Sequence, residues 1–266
     1  MRYIDFHCHA FPDKIAQAAV ESLARKGGGL IPRLDGSWDA LAREAQEDPD
    51  CAYRLLLPIA TKPTQQQSIN NWAASHQKGK ILSFGSIHPD APDALEELTR
   101  IQSLGLKGVK FHPEYQNFYV DDPKMLPIYR RISSLGLITV FHAGADVAYM
   151  PPYRCTPDRL LRILPVFGGT PVVAAHFGGY MMWEEVFQKL CGLPIYLDTA
   201  FSHGHIIQPL AHYIIKKHGA ERILFGSDSP WSSPRNELKL IESLELSPME
   251  QNQILYENAA KLLKIK

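Results

Sequence analysis

The residues able to do chemistry in this sequence stand at the ends of apolar runs. His7 and His9 close Tyr3-Ile4-Asp5-Phe6-His7-Cys8-His9, Lys110 and His112 close the run 106–112, and His142 closes 137–142. His176 ends the run 171–176, Asp198 stands near the end of 194–199, and Asp228 ends 222–228. Strand side chains alternate faces, which predicts Asp5, His7 and His9 on one face and Ile4, Phe6 and Cys8 on the other. Two imidazoles so spaced can converge on one ion, and neutral imidazole suits zinc, iron, nickel and manganese. One such pair would serve equally well as hydrogen-bonded core histidines. Recurrence on separate runs is harder to explain structurally, because buried imidazoles and carboxylates need partners.

The elements that must position these residues follow from periodicity. Strands are expected over 3–9, 51–60, 80–87, 106–112, 137–142, 171–176, 194–199 and 222–228. Helical patterns separate them over 13–26, from 37 onward, and over 64–77, 92–104, 123–135, 156–167, 183–191, 207–218 and 234–244. A last helix opens at Ser247-Pro248-Met249-Glu250, a capping box with proline in the first turn, and runs to Leu263. Strands alternating with helices in this way make a (β/α)8 TIM barrel, an α/β fold. The doubly wound sheet is the alternative, but no G-x-G-x-x-G follows any strand. No linker divides the chain, so residues 1–266 read as a single domain. In such a barrel the C-terminal strand ends meet, which would gather the polar set at one mouth. The segments 27–49, 113–122 and 143–155 would frame the pocket and select its substrate.

Composition excludes other classes. The chain has 266 residues, 45% hydrophobic and 21% charged, enough to bury a large core as a soluble protein. Lys+Arg and Asp+Glu both number 28, and the strand-end loops hold no basic cluster, so neither nucleic acid nor a membrane surface is expected as partner. Cys8, Cys51, Cys155 and Cys191 form no CxxC pair and no secretory leader is evident, which fits a reduced cytoplasmic protein. No apolar run reaches the roughly 18 residues of a membrane span. The partner expected is a small-molecule substrate.

Asp5-Phe6-His7-Cys8-His9, His142, Ala175-His176-Phe177-Gly178-Gly179 and Phe225-Gly226-Ser227-Asp228-Ser229-Pro230 together resemble the metal-dependent amidohydrolase superfamily. They are most similar to its amidohydrolase-related branch, which includes aminocarboxymuconate-semialdehyde decarboxylase and related hydrolases and hydratases. The segment Ile254-Leu255-Tyr256-Glu257-Asn258-Ala259-Ala260-Lys261-Leu262-Leu263 is similar to that branch's C-terminal helix, so the resemblance spans the chain. It implies that His7, His9 and His142 bind a divalent metal ion by imidazole. Asp228 would reach that metal or its water, while also being placed to cap the segment before Pro230. His176 would be an acid/base beside a single metal, or a ligand of a second. Zinc comes first among the ions, with manganese, iron and nickel as alternatives, and one per chain is preferred to two. Three nitrogens and one oxygen leave the open position a catalytic site requires, and a metal lowers the pKa of bound water towards roughly 7.

Lys110 resembles the lysine that carries a bridging carbamate in two-metal members. The reading preferred here is an unmodified ammonium that binds a substrate carboxylate, with His112 and Arg154 as further substrate contacts. Arg154 could clamp a carboxylate bidentately, though a loop arginine is commonly solvated. Asp198 could orient a ligand histidine. Tyr180 and Trp231 could form an aromatic wall, His203 and His205 could line the pocket, and His88 reads as structural. The function expected is a metal-dependent hydrolase acting through a metal-activated water on a small carboxylate-bearing or cyclic substrate, with Asp228 and His176 handling protons. The alternative is a metal-dependent non-oxidative decarboxylase, a carboxy-lyase of an unsaturated or aromatic acid. A catalytically inactive metal- or ligand-binding barrel is the third reading, against which stands the complete set of ligand-type residues. A homodimer is the habit of the group resembled.

Overall fold

The computed structural model describes residues 1–265. Its strands are β1 (Tyr3–Cys8), β2 (Cys51–Leu56), β3 (Ile81–Ser83), β4 (Gly108–Phe111), β5 (Ile138–Phe141), β6 (Val172–Ala174), β7 (Tyr196–Asp198) and β8 (Ile223–Leu224). All pair in parallel, as β1-β2-β3 and as β4-β5-β6-β7-β8. Backbone hydrogen bonds join the two sheets at both seams. Gly85 N donates to Gly108 O (2.8 Å), and Lys110 N donates to Gly85 O (2.9 Å). On the other side Phe6 N donates to Phe225 O (2.8 Å), Asp228 N to His7 O (2.7 Å) and His9 N to Ser229 O (2.6 Å). The ring is the (β/α)8 TIM barrel that the alternation predicts.

Around it lie α1 (Asp13–Lys26), α2 (Trp38–Glu47), α3 (Gln66–Ser75), α4 (Ala94–Ser103), α5 (Pro113–Gln116), α6 (Leu126–Leu135), α7 (Pro157–Ile163), α8 (Trp183–Lys189), α9 (Gln208–His218), α10 (Pro234–Ser243), α11 (Pro248–Asn252) and α12 (Asn258–Leu263). Several bounds differ from the sequence expectation for local reasons. Pro165 has no N–H to give, and the helix expected to reach 167 ends at Ile163 and tightens into a 3-10 turn over Leu164–Phe167. The short α5 lies in a segment read as loop, started by Pro113 after His112, whose Nδ1 accepts Tyr115 N. A π turn over Gln253–Glu257 interrupts the last helix, and Ile254 O accepts Phe225 N (3.0 Å) from beside β8. Asn258 then donates to both Ala220 O and Ile223 O (2.7 Å each), fastening α12 to the start of β8.

The strands are shorter than the apolar runs that contain them. Runs expected to continue to 176 and 228 stop pairing at Ala174 and Leu224. His176, Phe177 and Asp228 take left-handed φ values of 59°, 52° and 64°, which turn the chain out of the ladder just where its side chains must enter the mouth. The barrel interior is apolar: Ile4, Phe6, Leu55, Phe84, Val140, Val173 and Leu224 pack together, and Ala259 and Leu263 of α12 cover them.

One expectation fails at β1. Asp5 pairs with Arg54 and Cys8 with Leu56, so Phe6 and His7 together oppose Leu55 alone. This bulge breaks the alternation. Phe6 fills the interior and His7 follows it inward, while Asp5 lies beside Arg54 in the outer layer. There Asp5 accepts Ser227 N (2.8 Å) and Ser227 Oγ (2.6 Å), and Arg54 reaches Glu44 of α2 (2.6 Å). Gly226 makes room for the inward His7, since a Cβ there would lie 2.9 Å from His7 Cβ.

His218, in the last turn of α9, donates from Nε2 to Ile195 O (2.8 Å) and accepts Gly192 N at Nδ1 (3.2 Å). Burial pulls its pKa down from 6.5 to about 4, so the folded chain keeps it neutral where the unfolded chain protonates it. Its stabilisation is complete above pH 6.5 and is lost as pH falls towards 4, to the extent of roughly 3 kcal/mol. Urea unfolding at pH 7 and pH 4.5 should show that loss in the wild type. Other buried histidines add to the loss in both proteins, so it should be smaller in His218→Gln by roughly 3 kcal/mol; an equal loss in both would refute the assignment.

Candidate metal centre

His7, His9 and Asp228 meet at the mouth where β1 and β8 close the ring. Their facing atoms are separated by 3.2 Å (His7 Nε2 to His9 Nε2), 3.3 Å (His7 Nε2 to Asp228 Oδ1) and 3.1 Å (His9 Nε2 to Asp228 Oδ1). The tautomers follow from the partners on the far side of each ring. His7 Nδ1 meets Asp198 Oδ2 at 2.8 Å, and His9 Nδ1 meets Leu57 O at 2.8 Å. Both partners only accept, so each Nδ1 carries the proton and each Nε2 presents a bare lone pair. Two lone pairs and a carboxylate oxygen therefore face one another, an arrangement that calls for positive charge among them; Lys110 Nζ supplies part of it at 3.1 Å from His7 Nε2. Bonds of about 2.0–2.1 Å to one ion would hold tetrahedral ligands about 3.3 Å apart, close to the observed spacing. The donor set fits a divalent metal.

Asp198 acts as expected of a residue that orients a ligand. It is fully buried, and its other oxygen accepts His176 N (2.9 Å) and Ala200 N (3.1 Å). Burial raises its pKa, opposed by His176 and Lys110. At Asp228 burial also pushes upward, but the facing imidazoles of His9, His7 and His176 outweigh it, and the carboxyl is held below its ordinary range. Burial, reinforced by Lys110, keeps His7 well below the usual imidazole value.

His142 lies one step away from this trio. Its Nε2 faces Ala145 O (3.2 Å), and its Nδ1 faces His176 Nε2 (3.0 Å). His176 in turn has Nδ1 on Ala200 O (2.9 Å), so both facing nitrogens carry lone pairs and the pair needs a proton or a cation between them, while burial holds His142 well below the usual imidazole value. His142 also stacks on His112, with ring centroids 4.1 Å apart, and both approach Asp146, at 3.9 and 3.3 Å. These three form a second group whose ligand-type atoms converge. Asp146 is the site residue missed in the sequence; a carboxylate four positions after His142, in the loop following a site strand, was the available signal.

Two substrate contacts expected from the sequence do not hold. Lys110 is fully buried on the metal-facing side of His7, with Nζ 3.1 Å from His7 Nε2, and is not among the residues that border the cavity. Burial lowers its pKa to about 8. Arg154 is also absent from the cavity wall: its backbone N and Nη1 engage Glu114 (2.7 and 2.8 Å), and its Nη2 engages Asn117 (2.7 Å). Glu114 is almost entirely buried and needs that charge, so Arg154 serves it rather than a ligand. His112 does border the cavity, as do Tyr180 and Trp231. His203 and His205 line a smaller neighbouring depression with Arg33 and Glu237.

The main cavity, about 460 Å³, opens from His9, His112, His142, His176 and Asp228. Its remaining wall is chiefly aromatic and aliphatic, with Phe11, Trp72, Tyr115, Tyr180, Phe201 and Trp231 among its rings. No Arg or Lys borders it among the described residues.

A closed parallel barrel with imidazoles and a carboxylate converging at its C-terminal mouth defines a metal-dependent barrel enzyme. The chain belongs to the amidohydrolase family, whose model matches residues 4–265. No curated protein sequence matches it. Among solved structures it is similar to 2,6-dihydroxybenzoate decarboxylase from Rhizobium, at 16% identity and TM-score 0.71, covering 100% of this chain and 99% of the other. A dihydroxybenzoic acid decarboxylase from a Polaromonas species, solved with manganese and 2-nitroresorcinol, is 17% identical with TM-score 0.71, covering 99% and 97%. An uncharacterized TIM-barrel protein from Bordetella bronchiseptica is 19% identical with TM-score 0.75, covering 99% of each chain. At these identities the likeness is one of fold. No helix among the described residues is long and apolar enough to cross a membrane.

Metal analysis by mass spectrometry tests the centre. His7→Ala and His9→Ala should each remove most bound metal while circular dichroism stays unchanged, and Asp198→Ala should weaken metal affinity about 10- to 100-fold by freeing the His7 ring. The wild type should hold one ion per chain with Lys110 at its unmodified mass. Full loading of either histidine variant would refute the assignment, and two ions with a carboxylated Lys110 would refute the stoichiometry.

Proposed function

We propose that this chain is a metal-dependent non-oxidative decarboxylase of an aromatic or unsaturated acid. The observation that carries this reading is the charge distribution of the cavity. A carboxylate entering it meets aromatic and aliphatic walls lined by no Arg or Lys among the described residues, so positive charge is confined to the histidine pole, where His7, His9 and Asp228 would hold a cation and Lys110 Nζ stands 3.1 Å from His7 Nε2. The resemblance to hydroxybenzoate decarboxylases in fold supports the same reading. Hydrolysis, expected first from the sequence, drew on its commonness in the superfamily and has no comparable support in the cavity.

His7, His9 and Asp228 would hold the ion, and His142 joins them only if its ring leaves Ala145 O. When bound, a divalent ion such as zinc or manganese supplies a Lewis-acidic anchor for the substrate's carboxylate. Asp198 keeps the His7 proton on Nδ1, so that Nε2 remains available. The flat walls, Tyr115, Tyr180 and Trp231 among them, exclude water and hold the ring. His176 borders the cavity and faces His142 Nδ1 across 3.0 Å, where the two rings would share a proton. As the carbon–carboxylate bond breaks, its electron pair stays on the ring or alkene carbon. His176 Nε2 delivers the shared proton to that carbon, CO2 departs, and the imidazole pair is reprotonated from solvent. Asp228 contributes negative charge beside this transfer and can relay the returning proton.

A substrate panel tests the proposal. Hydroxybenzoates and muconate-type acids are followed for CO2 release beside lactones, amides and cyclic esters followed for acid release. CO2 should appear from the first group, and the rate should fall at least about 100-fold in His176→Ala. Turnover confined to the second group would replace this reading with hydrolysis.

A further inference from the structure

An outer helix of a barrel ordinarily presses its apolar stripe onto the sheet. α1 does not. It buries only Ala16 and Val20, while Ile15, Ala19 and Leu23, spaced i, i+4 and i+8, are turned onto the main cavity. Opposite them stand Ile69 and Trp72 of α3. Ile15 is left 52% exposed, although apolar partners lie across the cavity. Polar groups of this stretch bond largely to one another: Gln65 Oε1 accepts Thr61 Oγ1 and Lys62 N, and Ser68 Oγ donates to Gln65 O. The loop after α1 meets the loop after β5 here, since a Cβ on Gly27 would lie 2.8 Å from Leu30 Cδ1 and 3.1 Å from Val147 Cγ2. The cavity's volume of about 460 Å³ is roughly three times the ~150 Å³ that accommodates a benzene ring. A monocyclic acid with its carboxylate at the histidine end would leave the stretch between α1 and α3 unfilled.

We propose that the substrate acid carries an extended apolar substituent, a chain on the order of five carbons or a second ring, lying between α1 and α3. This rests on the reading of the cavity as the site of an acid whose carboxylate is anchored at His7, His9 and Asp228. The substituent supplies binding energy remote from the reacting carbon, which the aliphatic walls return as burial of apolar surface. It also fixes the orientation of the acid, because no Arg or Lys lines the wall among the described residues.

Calorimetric titration of the metal-loaded protein with four probes separates the tail from the head group: benzoate, 4-pentylbenzoate, phenol and 4-pentylphenol. Full burial of one methylene is worth about fourfold in affinity, so the pentyl group should tighten binding at least about 30-fold in both pairs. That gain should persist after the metal is removed with EDTA, whereas the preference for benzoate over phenol should vanish. In Ala19→Trp, which fills the stretch from α1, the pentyl gain should fall below about threefold, and Leu23→Ser should reduce it in part; circular dichroism checks that both variants fold. A pentyl gain below about threefold in the wild type, or one insensitive to both substitutions, overturns the inference. Equal affinity for benzoate and phenol before EDTA, with the pentyl gain intact, overturns carboxylate anchoring and leaves the tail assignment standing. Binding of none of the probes overturns both.

Discussion

The buried carboxylate of Asp198 is the constraint on which the rest of the site depends. One oxygen takes the Nδ1 proton of His7, and the other takes the backbone protons of His176 and Ala200. A carboxylate with no exposure must have such partners, because leaving it unpaired would cost several kcal/mol. Satisfying it fixes the tautomer of a β1 histidine and the turn after β6 at once. The turn places His176 in left-handed backbone, a conformation that costs about 1–2 kcal/mol for a residue with a Cβ. Orientation of the metal-type trio and placement of His176 therefore share one anchor.

The same logic separates the cations from the cavity. Lys110 stands fully buried beside His7 Nε2 and Arg154 is drawn to Glu114, so neither borders the cavity. What remains around the substrate space is aromatic and aliphatic wall with one polar pole. Such a cavity distinguishes ligands by shape and by whether they bring one anionic group to that pole. The polar pole lies at the strand ends of the barrel, and the wall is built from α1, α3 and the loops after the strands.

Much was legible from residue order alone. Apolar runs alternating with amphipathic helices require a barrel-type layering, and polar residues at the last positions of those runs must meet where strand ends meet. That reasoning reached His7, His9, His176, Asp198 and Asp228 one by one, since strand direction and sequence position place a residue at a given end. It also reached the closing segment, where Asn258 binds the carbonyls at the start of β8.

Tertiary structure decided what alternation and residue type leave open. The bulge in β1 exists because Phe6 and His7 must both turn inward against Leu55, and pairing with β2 is formed only when the two strands meet. The directions of Lys110 and Arg154 depended on which buried acceptors lay within reach, and those acceptors are distant in sequence: His7 is 103 residues from Lys110, and Glu114 is 40 residues from Arg154. Asp146 became part of the site through the loop that carries it. The apolar stripe of α1 was visible as a helix face, but whether it packs on a sheet or borders a cavity depends on how far the helix stands from the barrel. Local sequence determines which groups can be buried or paired; only the closed fold determines which of them meet.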